Sequence, residues 1–581
     1  MSRLTHLLFA VMLFASCSSE RPPNVIIILT DDQAWGDLSI NGNTSINTPN
    51  IDRIAYSGAR FENFYVSPVC SPTRAELLTG RYHPRSGVHG TSAGSERIDL
   101  GETLVSEVFQ GAGYATGVFG KWHNGQQAPY HPNSRGFDHY YGFPSGHWGH
   151  YFSPPLETNG ELVQGSGYLP DDLTESAMEF MRAYAESPFL VFLPYNTPHS
   201  PMQVPDEWWN QVPELRQHPR SPEQEDTLHT RAALAMMLNI DWNVGRVLTL
   251  LDNLSLTEET IVLYFSDNGP NGPRWNADMK GRKGSTDEGG VRSPLLMQWP
   301  GVIAEGTVIT DITAAIDLMP TLAEFSNIDL NTNYPLDGVS FAPLLRGEIE
   351  SMPERLIFSH WRGRTSVRSQ TYRLGHSGGL FDMVNDREQR VDLASEYPDL
   401  ADSLEEARAR WIREVVPEAY RKHPFTIGSE DERITWLPAR DATASEGIKR
   451  SNRYPNDSFL TNWTSTQDSI LWEADVLTTG EYKATLYYTT AVGNEGAQID
   501  LSFGDASLQA TIVEAHDPAE YGMKEDRVPR IESYVKDFRP LVLGSISLEA
   551  GQESLVLQAI SIPGKAVADV RLLQLERIVE L

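Results

Sequence analysis

Cysteine is nearly missing from this chain. Only Cys17 and Cys70 occur in 581 residues, so no disulfide framework can hold the fold together. Basic residues are also in deficit: 47 Lys and Arg stand against 78 Asp and Glu, for a formal net charge of −31. That balance argues against nucleic acid as a partner, because binding a phosphate backbone needs a basic surface. A local cluster of Lys, Arg and metal can still bind an anionic substrate, since short-range contacts overrule the global field. Long apolar runs are missing too. The longest near the N-terminus, Leu7 to Ala15, is too short to span a bilayer. No internal repeat or low-complexity tract is visible.

The N-terminal segment reads as an export signal: Arg3 gives positive charge and Leu7 to Ala15 an apolar core. Phe14-Ala15-Ser16-Cys17 resembles the bacterial lipoprotein processing site. By that resemblance residues 1–17 are the signal segment, and Cys17 is retained and carries lipid. The expected location is then a membrane, facing the periplasm or the cell surface. The alternative is an ordinary secretory signal cleaved nearby. With Cys17 lipidated, Cys70 has no thiol partner and needs another explanation.

Four short apolar runs read as buried parallel strands: Val25 to Leu29, Ala115 to Phe119, Phe189 to Leu193 and Ile261 to Phe265. Helical stripes lie between them, at Leu104 to Ala112 and Ala232 to Leu251. Alternating strands and helices imply an α/β layer fold. The residues just beyond each strand carry chemistry: Asp31-Asp32, then Lys121-Trp122-His123, then His199, then Asp267-Asn268. In open α/β sheets, ligands sit beyond the carboxyl ends of the strands, so these residues can converge on one crevice. Residues 24–336 form the expected catalytic domain. Residues 337–425, with a short strand at Leu356 to Phe358 and a polar helix at Asp399 to Glu414, suit a small α+β subdomain. A linker containing Glu430, Asp431 and Pro438 comes next. Residues 440–581 suggest an antiparallel β-sandwich, with Tyr482, Ala484, Leu486 and Tyr488 alternating with mostly polar residues.

Around Cys70, Ser71-Pro72 resembles a helix start, and Thr73 with Glu76 offers a capping box instead. Cys70 at a helix N-terminus would sit where the dipole favours negative charge. On position alone, a buried structural cysteine and a nucleophile or its precursor are both open.

Cys70-Ser71-Pro72-Thr73-Arg74, with Leu78-Thr79-Gly80-Arg81 just after it, resembles the signature of the type I sulfatases of the alkaline phosphatase superfamily. Asp31-Asp32, Gly120-Lys121-Trp122-His123, Asp267-Asn268-Gly269, Lys283-Gly284 and Glu288-Gly289-Gly290 occur in that family's order. The resemblance spans roughly Asn24 to Trp411. It implies a mixed sheet sandwiched by helices. It also implies that a maturation enzyme oxidises Cys70 to formylglycine, with Pro72 and Arg74 as recognition points. A thiol would attack a sulfate ester with no built-in exit. A hydrated aldehyde attacks sulfur with one hydroxyl; the other then loses its proton, the carbonyl re-forms and sulfate leaves.

The same resemblance assigns Asp31, Asp32, Asp267, Asn268 and modified Cys70 to a divalent cation. Oxygen ligands suit Ca²⁺, the family's usual ion, or Mg²⁺. Lys121 and Lys283 would contact sulfate oxygens, Arg74 and His123 the hydrated aldehyde, and His199 the leaving oxygen, where it or Lys283 acts as general acid. Lys280 is a rival to Lys283. His147 and His150 either line the pocket mouth and read a sugar or have no role; Arg362 and Arg364 could meet further acidic groups. The implied activity is sulfate ester hydrolysis on a sulfated polysaccharide or oligosaccharide, with the β-region weakly similar to carbohydrate-binding modules. The alternatives are a phosphodiesterase or phosphonate hydrolase of the same superfamily, or a non-catalytic glycan-binding lipoprotein.

Overall fold

The structure, a computed structural model, describes residues 21–216, 222–421 and 423–579. Cys17 and the signal segment lie outside the described residues. Among the described residues, no helix is long and apolar enough to cross a membrane.

The largest element is a ten-stranded mixed sheet. Its strands are β1 (Asn24–Thr30), β2 (Ala59–Tyr65), β3 (Ala115–Lys121), β4 (His139–Phe143), β5 (Pro155–Thr158), β6 (Glu161–Gln164), β7 (Phe189–Pro194), β8 (Thr260–Ser266), β9 (Arg292–Gln298) and β10 (Thr307–Ala314). They run in the order β10-β2-β9-β8-β1-β7-β3-β4-β5-β6. The block β8-β1-β7-β3-β4 is parallel, and β9 runs antiparallel to both β8 and β2.

Every residue of β1, β7 and β8 is buried, and the pleat deals their side chains to two cores. Ile26, Ile28, Val191 and Tyr264 face the helices Leu169–Ala183 and Thr227–Leu254. Val25, Ile27, Leu29, Phe192 and Leu263 face the helices Cys70–Thr79, Val105–Gly111 and Leu318–Phe325. Burial on both faces is why these strands read as unbroken apolar runs. Each fully buried Ile or Leu contributes about 1.5–3 kcal/mol. The sequence reading missed β2, whose ARFENFY pattern carries half-buried charge, and the hairpin β5–β6, whose second strand is largely exposed.

Beyond it lies a four-stranded antiparallel sheet: β11 (Ile357–Trp361), β12 (Arg364–Arg368), β13 (Tyr372–Leu374) and β14 (Leu380–Asp382). The helix Pro398–Val415 lies on it, placing Leu404 against Val367, Leu374 and Leu380.

Two six-stranded sheets then enclose a core of Trp463, Trp472, Tyr482, Leu486, Leu501, Leu557 and Leu573. Their pairings are antiparallel except that Phe425–Ile427 runs parallel to Ser469–Val476. The stretch expected to be a linker is part of this sandwich. Phe425–Ile427 is a strand of one sheet, and Ile434–Pro438 pairs with Asp569–Arg577 in the other. Pro438 ends its strand, at the edge of the sheet, where a missing N–H costs least.

Candidate active site

The parallel strands deliver their last residues to one edge of the sheet, and backbone hydrogen bonds stitch the exits together. Asp31 N donates to Thr197 O at 3.1 Å, and Asp267 N to Thr30 O at 3.0 Å. Asp32 N donates to Asp267 Oδ1 at 3.2 Å. Asp32 and His123 both hold positive φ, 67° and 65°, a conformation non-glycine residues adopt at a cost and often at functional sites.

Cys70 reaches this edge from β2. The helix begins at Cys70 itself, after an extended Val69 with no side-chain cap. Ser71 is therefore not the cap, and Thr73 and Glu76 do not form a capping box. Thr73 Oγ1 donates to Asp267 O at 2.6 Å and accepts from Ser67 N at 2.9 Å. Glu76 accepts from Ser67 Oγ at 3.0 Å. Thr73 ties the helix to the end of β8 and Glu76 ties it to the stretch after β2, instead of closing its own first turn. Burial pushes the Cys70 thiol up despite nearby Lys121 and Lys283, so the expected pull of the helix terminus does not dominate.

The cluster is dense. Atoms of Asp31, Cys70 and Asp267 lie within 4.8 Å of one another, as do those of Asp31, Asp32 and His199. Lys121 Nζ donates to Asp31 Oδ2 at 2.5 Å, and Lys283 Nζ stands 2.6 Å from Asp32 Oδ1. Arg74 is fully buried; it donates to Lys121 O at 2.6 Å and to Asp267 Oδ2 at 2.9 Å, strapping the ends of β3 and β8 to the helix. Burial pushes the Asp31 carboxyl up, but Lys121, His199, Lys283 and Arg74 outweigh it and hold it below the ordinary range. Asp267 goes the other way, raised to about 7 by burial and by the charge of Asp31, against the pull of Arg74.

The oxygens fit a hard cation. Asp31 Oδ1, Asp32 Oδ2 and Asn268 Oδ1 are buried without a hydrogen-bond partner among the described residues. Asn268 turns its amide nitrogen to Asp32 Oδ1 at 2.7 Å, which leaves its carbonyl oxygen available. Unpaired buried acceptors are costly, and three beside Cys70 make an oxygen set suited to Ca²⁺ or Mg²⁺.

The two histidines are oppositely oriented, and burial lowers the pKa of both. His199 Nδ1 is 2.6 Å from Ser200 O, which can only accept, so Nδ1 carries the proton and Nε2 faces Asp32 Oδ2 at 3.7 Å. Burial and Lys283 lower His199 to about 4. His123 Nε2 donates to Thr91 O at 3.0 Å, leaving Nδ1 without a partner among the described residues. Gly146 permits this packing, since a Cβ there would lie 2.0 Å from His123 Nε2.

Other candidates lie farther out. Lys280 pairs with Asp287 at 3.4 Å over the Phe381 ring, away from the cluster. Arg364 donates to Gly284 O at 2.8 Å, bracing the Lys283 loop, while Arg362 stands over Trp361. His147 is buried between the His199 ring, 5.4 Å away, and Asp457 of the sandwich, 3.0 Å away. His150 is half-buried against Tyr521. The sequence reading missed Asn124, which donates to Ser71 O and Glu96 O, and Arg274, which donates to Asp32 O at 2.9 Å and pairs with Asp37 at 2.7 Å. Only their closeness to the Lys-Trp-His and Asp-Asn-Gly motifs could have marked them.

Residues 23–328, more than half of the chain, match the Sulfatase family, and residues 283–374 match N-sulphoglucosamine sulphohydrolase, C-terminal. N-acetylgalactosamine-6-sulfatase of Mus musculus is 32% identical over 387 residues, 60% of this chain and 71% of that protein. Arylsulfatase A of Homo sapiens is 33% identical over 387 residues, 62% of this chain and 76% of that protein. The crystal structure of Ps i-CgsB in complex with k-i-k-neocarrahexaose superposes with a TM-score of 0.63 at 29% identity, covering 69% of this chain and 95% of that one. The chain belongs to the sulfatase family, and it is a sulfuric ester hydrolase.

Proposed function

We propose that this sulfatase removes sulfate from a sulfated glycan, using formylglycine made from Cys70 and a divalent cation, Ca²⁺ or Mg²⁺, held by Asp31, Asp32, Asp267 and Asn268. The observation that carries the reading is the cluster of Cys70, Asp31 and Asp267 atoms within 4.8 Å, beside carboxylate oxygens that lack partners among the described residues. The glycan part is supported by relatives named for N-acetylgalactosamine 6-sulfate and by the neocarrahexaose complex. Oxidised, position 70 supplies a diol oxygen as nucleophile. The cation supplies positive charge that favours the ionised diol and polarises the sulfate.

The remaining work falls to this chain's own side chains. Arg74 holds Asp267 and the end of β3 in place for the residue at 70. Lys121 and Lys283 present N–H groups to the sulfate oxygens. His199 Nδ1 donates to Ser200 O, which orients the ring; the leaving oxygen takes its proton from Lys283 Nζ or from His199 once that ring is protonated. His123 keeps an unprotonated Nδ1, which can take the diol proton when sulfate is expelled.

Lipid on Cys17, anchoring the enzyme to a bacterial membrane on the periplasmic or surface side, and a maturation enzyme acting on Cys70 belong to the same proposal. Mass spectrometry of the peptide around residue 70 from the native cell should show an aldehyde, and an unmodified thiol there would overturn the nucleophile. Sulfate release from sulfated galactan and glycosaminoglycan oligosaccharides should exceed phosphate diester cleavage and should fall steeply on chelation; an indifferent rate would remove the cation from the account.

A further inference from the structure

Where the sandwich meets the catalytic sheet, a cleft of about 340 Å³ opens between them, within the roughly 300–1,000 Å³ of small-molecule sites. Both parts of the chain build its walls. Trp148 and Leu162 come from the catalytic side, and Trp436, Arg440, Tyr487 and Phe538 from the sandwich. The Trp436 and Tyr487 rings stand 6.1 Å apart, and Trp148 is stacked on Phe143. Trp436 Nε1 has no hydrogen-bond partner among the described residues.

The cleft lies beside the chemistry. Gln126, Pro144, Ser145 and Arg440 also line a smaller hollow, of about 10 Å³, that reaches His123 and His147. The wall is fastened across the seam. Arg440 gives one N–H to Ser145 Oγ at 2.5 Å, and Arg530 donates to Gly149 O at 2.7 Å. Asp457, paired with His147 across the seam, accepts from Arg571 at 2.9 Å. The loop after His199 is held from the same side, with Ser200 Oγ donating to Glu532 at 3.1 Å and Gln203 Nε2 to Asp526 at 2.8 Å.

Aromatic faces beside a few fixed cations and polar groups match one ligand chemistry well. A sugar ring presents apolar C–H faces for stacking, and hydroxyl or sulfate groups at its rim for Arg and Lys. Arg440 already holds Ser145 and Lys536 already holds Asp569, but a wholly apolar occupant would still strip water from the rest of these charged groups, which is costly. We propose that the cleft is a second saccharide subsite. It holds the sugar unit next to the one that carries the scissile sulfate, which makes the sandwich a specificity element of the active site. The subsite rests on the reading of the substrate as a glycan.

The test compares kcat/KM for sulfate release from N-acetylgalactosamine 6-sulfate, galactose 6-sulfate, their chondroitin- and carrageenan-derived di- and tetrasaccharides, and 4-nitrophenyl sulfate. Adding the neighbouring sugar should raise kcat/KM by about tenfold or more, the equivalent of ~1.4 kcal/mol. Trp436→Ala should remove most of that rise. Leu162 is half exposed on the β5–β6 hairpin, so Leu162→Asp puts an anion at the cleft without disturbing the core; it should also remove the rise and decides the matter alone if Trp436→Ala does not fold. No rise in the wild type, or a rise that the variants keep, overturns the subsite and leaves the sulfatase reading intact. Cleavage of 4-nitrophenyl sulfate with no release from any saccharide overturns the glycan reading, and the subsite with it.

Discussion

Strand β1 and the strand Ser469–Val476 bury side chains by opposite rules. In β1 every residue is buried, with Ile26 and Ile28 on one side and Val25, Ile27 and Leu29 on the other. In Ser469–Val476 only Ile470, Trp472, Ala474 and Val476 are buried, and Glu473 is exposed. A parallel sheet covered on both faces can offer chemistry only at its strand ends, so Asp31, Lys121, His199 and Asp267 meet there although they are far apart in sequence. An antiparallel sandwich has one core and wet outer faces; here its loops reach over and wall the neighbouring site. The two parts should therefore respond differently to substitution.

The largest effect is expected at the strand-end cluster. Cys70→Ala should lower sulfate ester turnover by at least about a thousandfold, as loss of a covalent nucleophile does, while near- and far-ultraviolet circular dichroism stay native. Wild-type rates in this variant would end the comparison, since the chemistry would then lie elsewhere. Asp267→Ala comes next. It leaves the buried Arg74 without its carboxylate partner, which costs about 3–5 kcal/mol, so both the thermal midpoint and the turnover should drop. Loss of activity at an unchanged midpoint would show that Asp267 does not hold Arg74.

Those strand ends were legible because fully buried parallel strands leave unbroken apolar runs, and a motif just past such a run is placed by it. Lys121 and His123 after Phe119, and Asp267 after Phe265, need no other information. Cys70 comes after β2, whose half-buried Glu62 and Asn63 broke the run; there only the Cys-Ser-Pro-Thr-Arg signature placed the residue. The edges at Phe425 and Ile434 were hidden because three- and five-residue strands carry too few alternations to separate from a linker. The pairing of His147 with Asp457, more than three hundred positions apart, depends on how the two parts dock, and no local pattern encodes that.

A third substitution tests whether the sandwich keeps its own stability. Trp472 is fully buried in the sandwich core and donates to Pro438 O at 3.1 Å. Trp472→Ala should cost about 3–5 kcal/mol there. Differential scanning calorimetry should show an early transition for the sandwich, while 4-nitrophenyl sulfate turnover at 25 °C stays within a factor of about two. A single transition that moves as a whole would show the two parts melting as one unit.

The smallest effect is expected at the seam between the two parts, where Glu432 accepts from Ala128 N at 2.8 Å, Thr426 Oγ1 donates to Ala128 O at 2.6 Å and Gln127 Nε2 donates to Trp436 O at 2.7 Å. Burial raises the Glu432 carboxyl to about 7, against His131 and the Ala128 N–H. His131 is raised as well: burial lowers it, but Glu157, 2.6 Å away, more than reverses that. A raised folded-state pKa means that the native state holds its proton more tightly than the unfolded chain does. For Glu432 the contribution is complete below its ordinary value near 4.5 and is lost as pH rises through 7. For His131 it is complete below 6.5 and is lost above its raised value. Both therefore weaken the seam as pH rises, each tenfold difference in proton affinity between the folded and unfolded chain being worth about 1.4 kcal/mol. Glu432→Gln keeps the shape and removes one of the two titrations. Its thermal midpoint should exceed that of the wild type at pH 8 and approach or fall below it at pH 5. Parallel midpoint curves for the two proteins across that range would show that Glu432 is not held protonated at the seam.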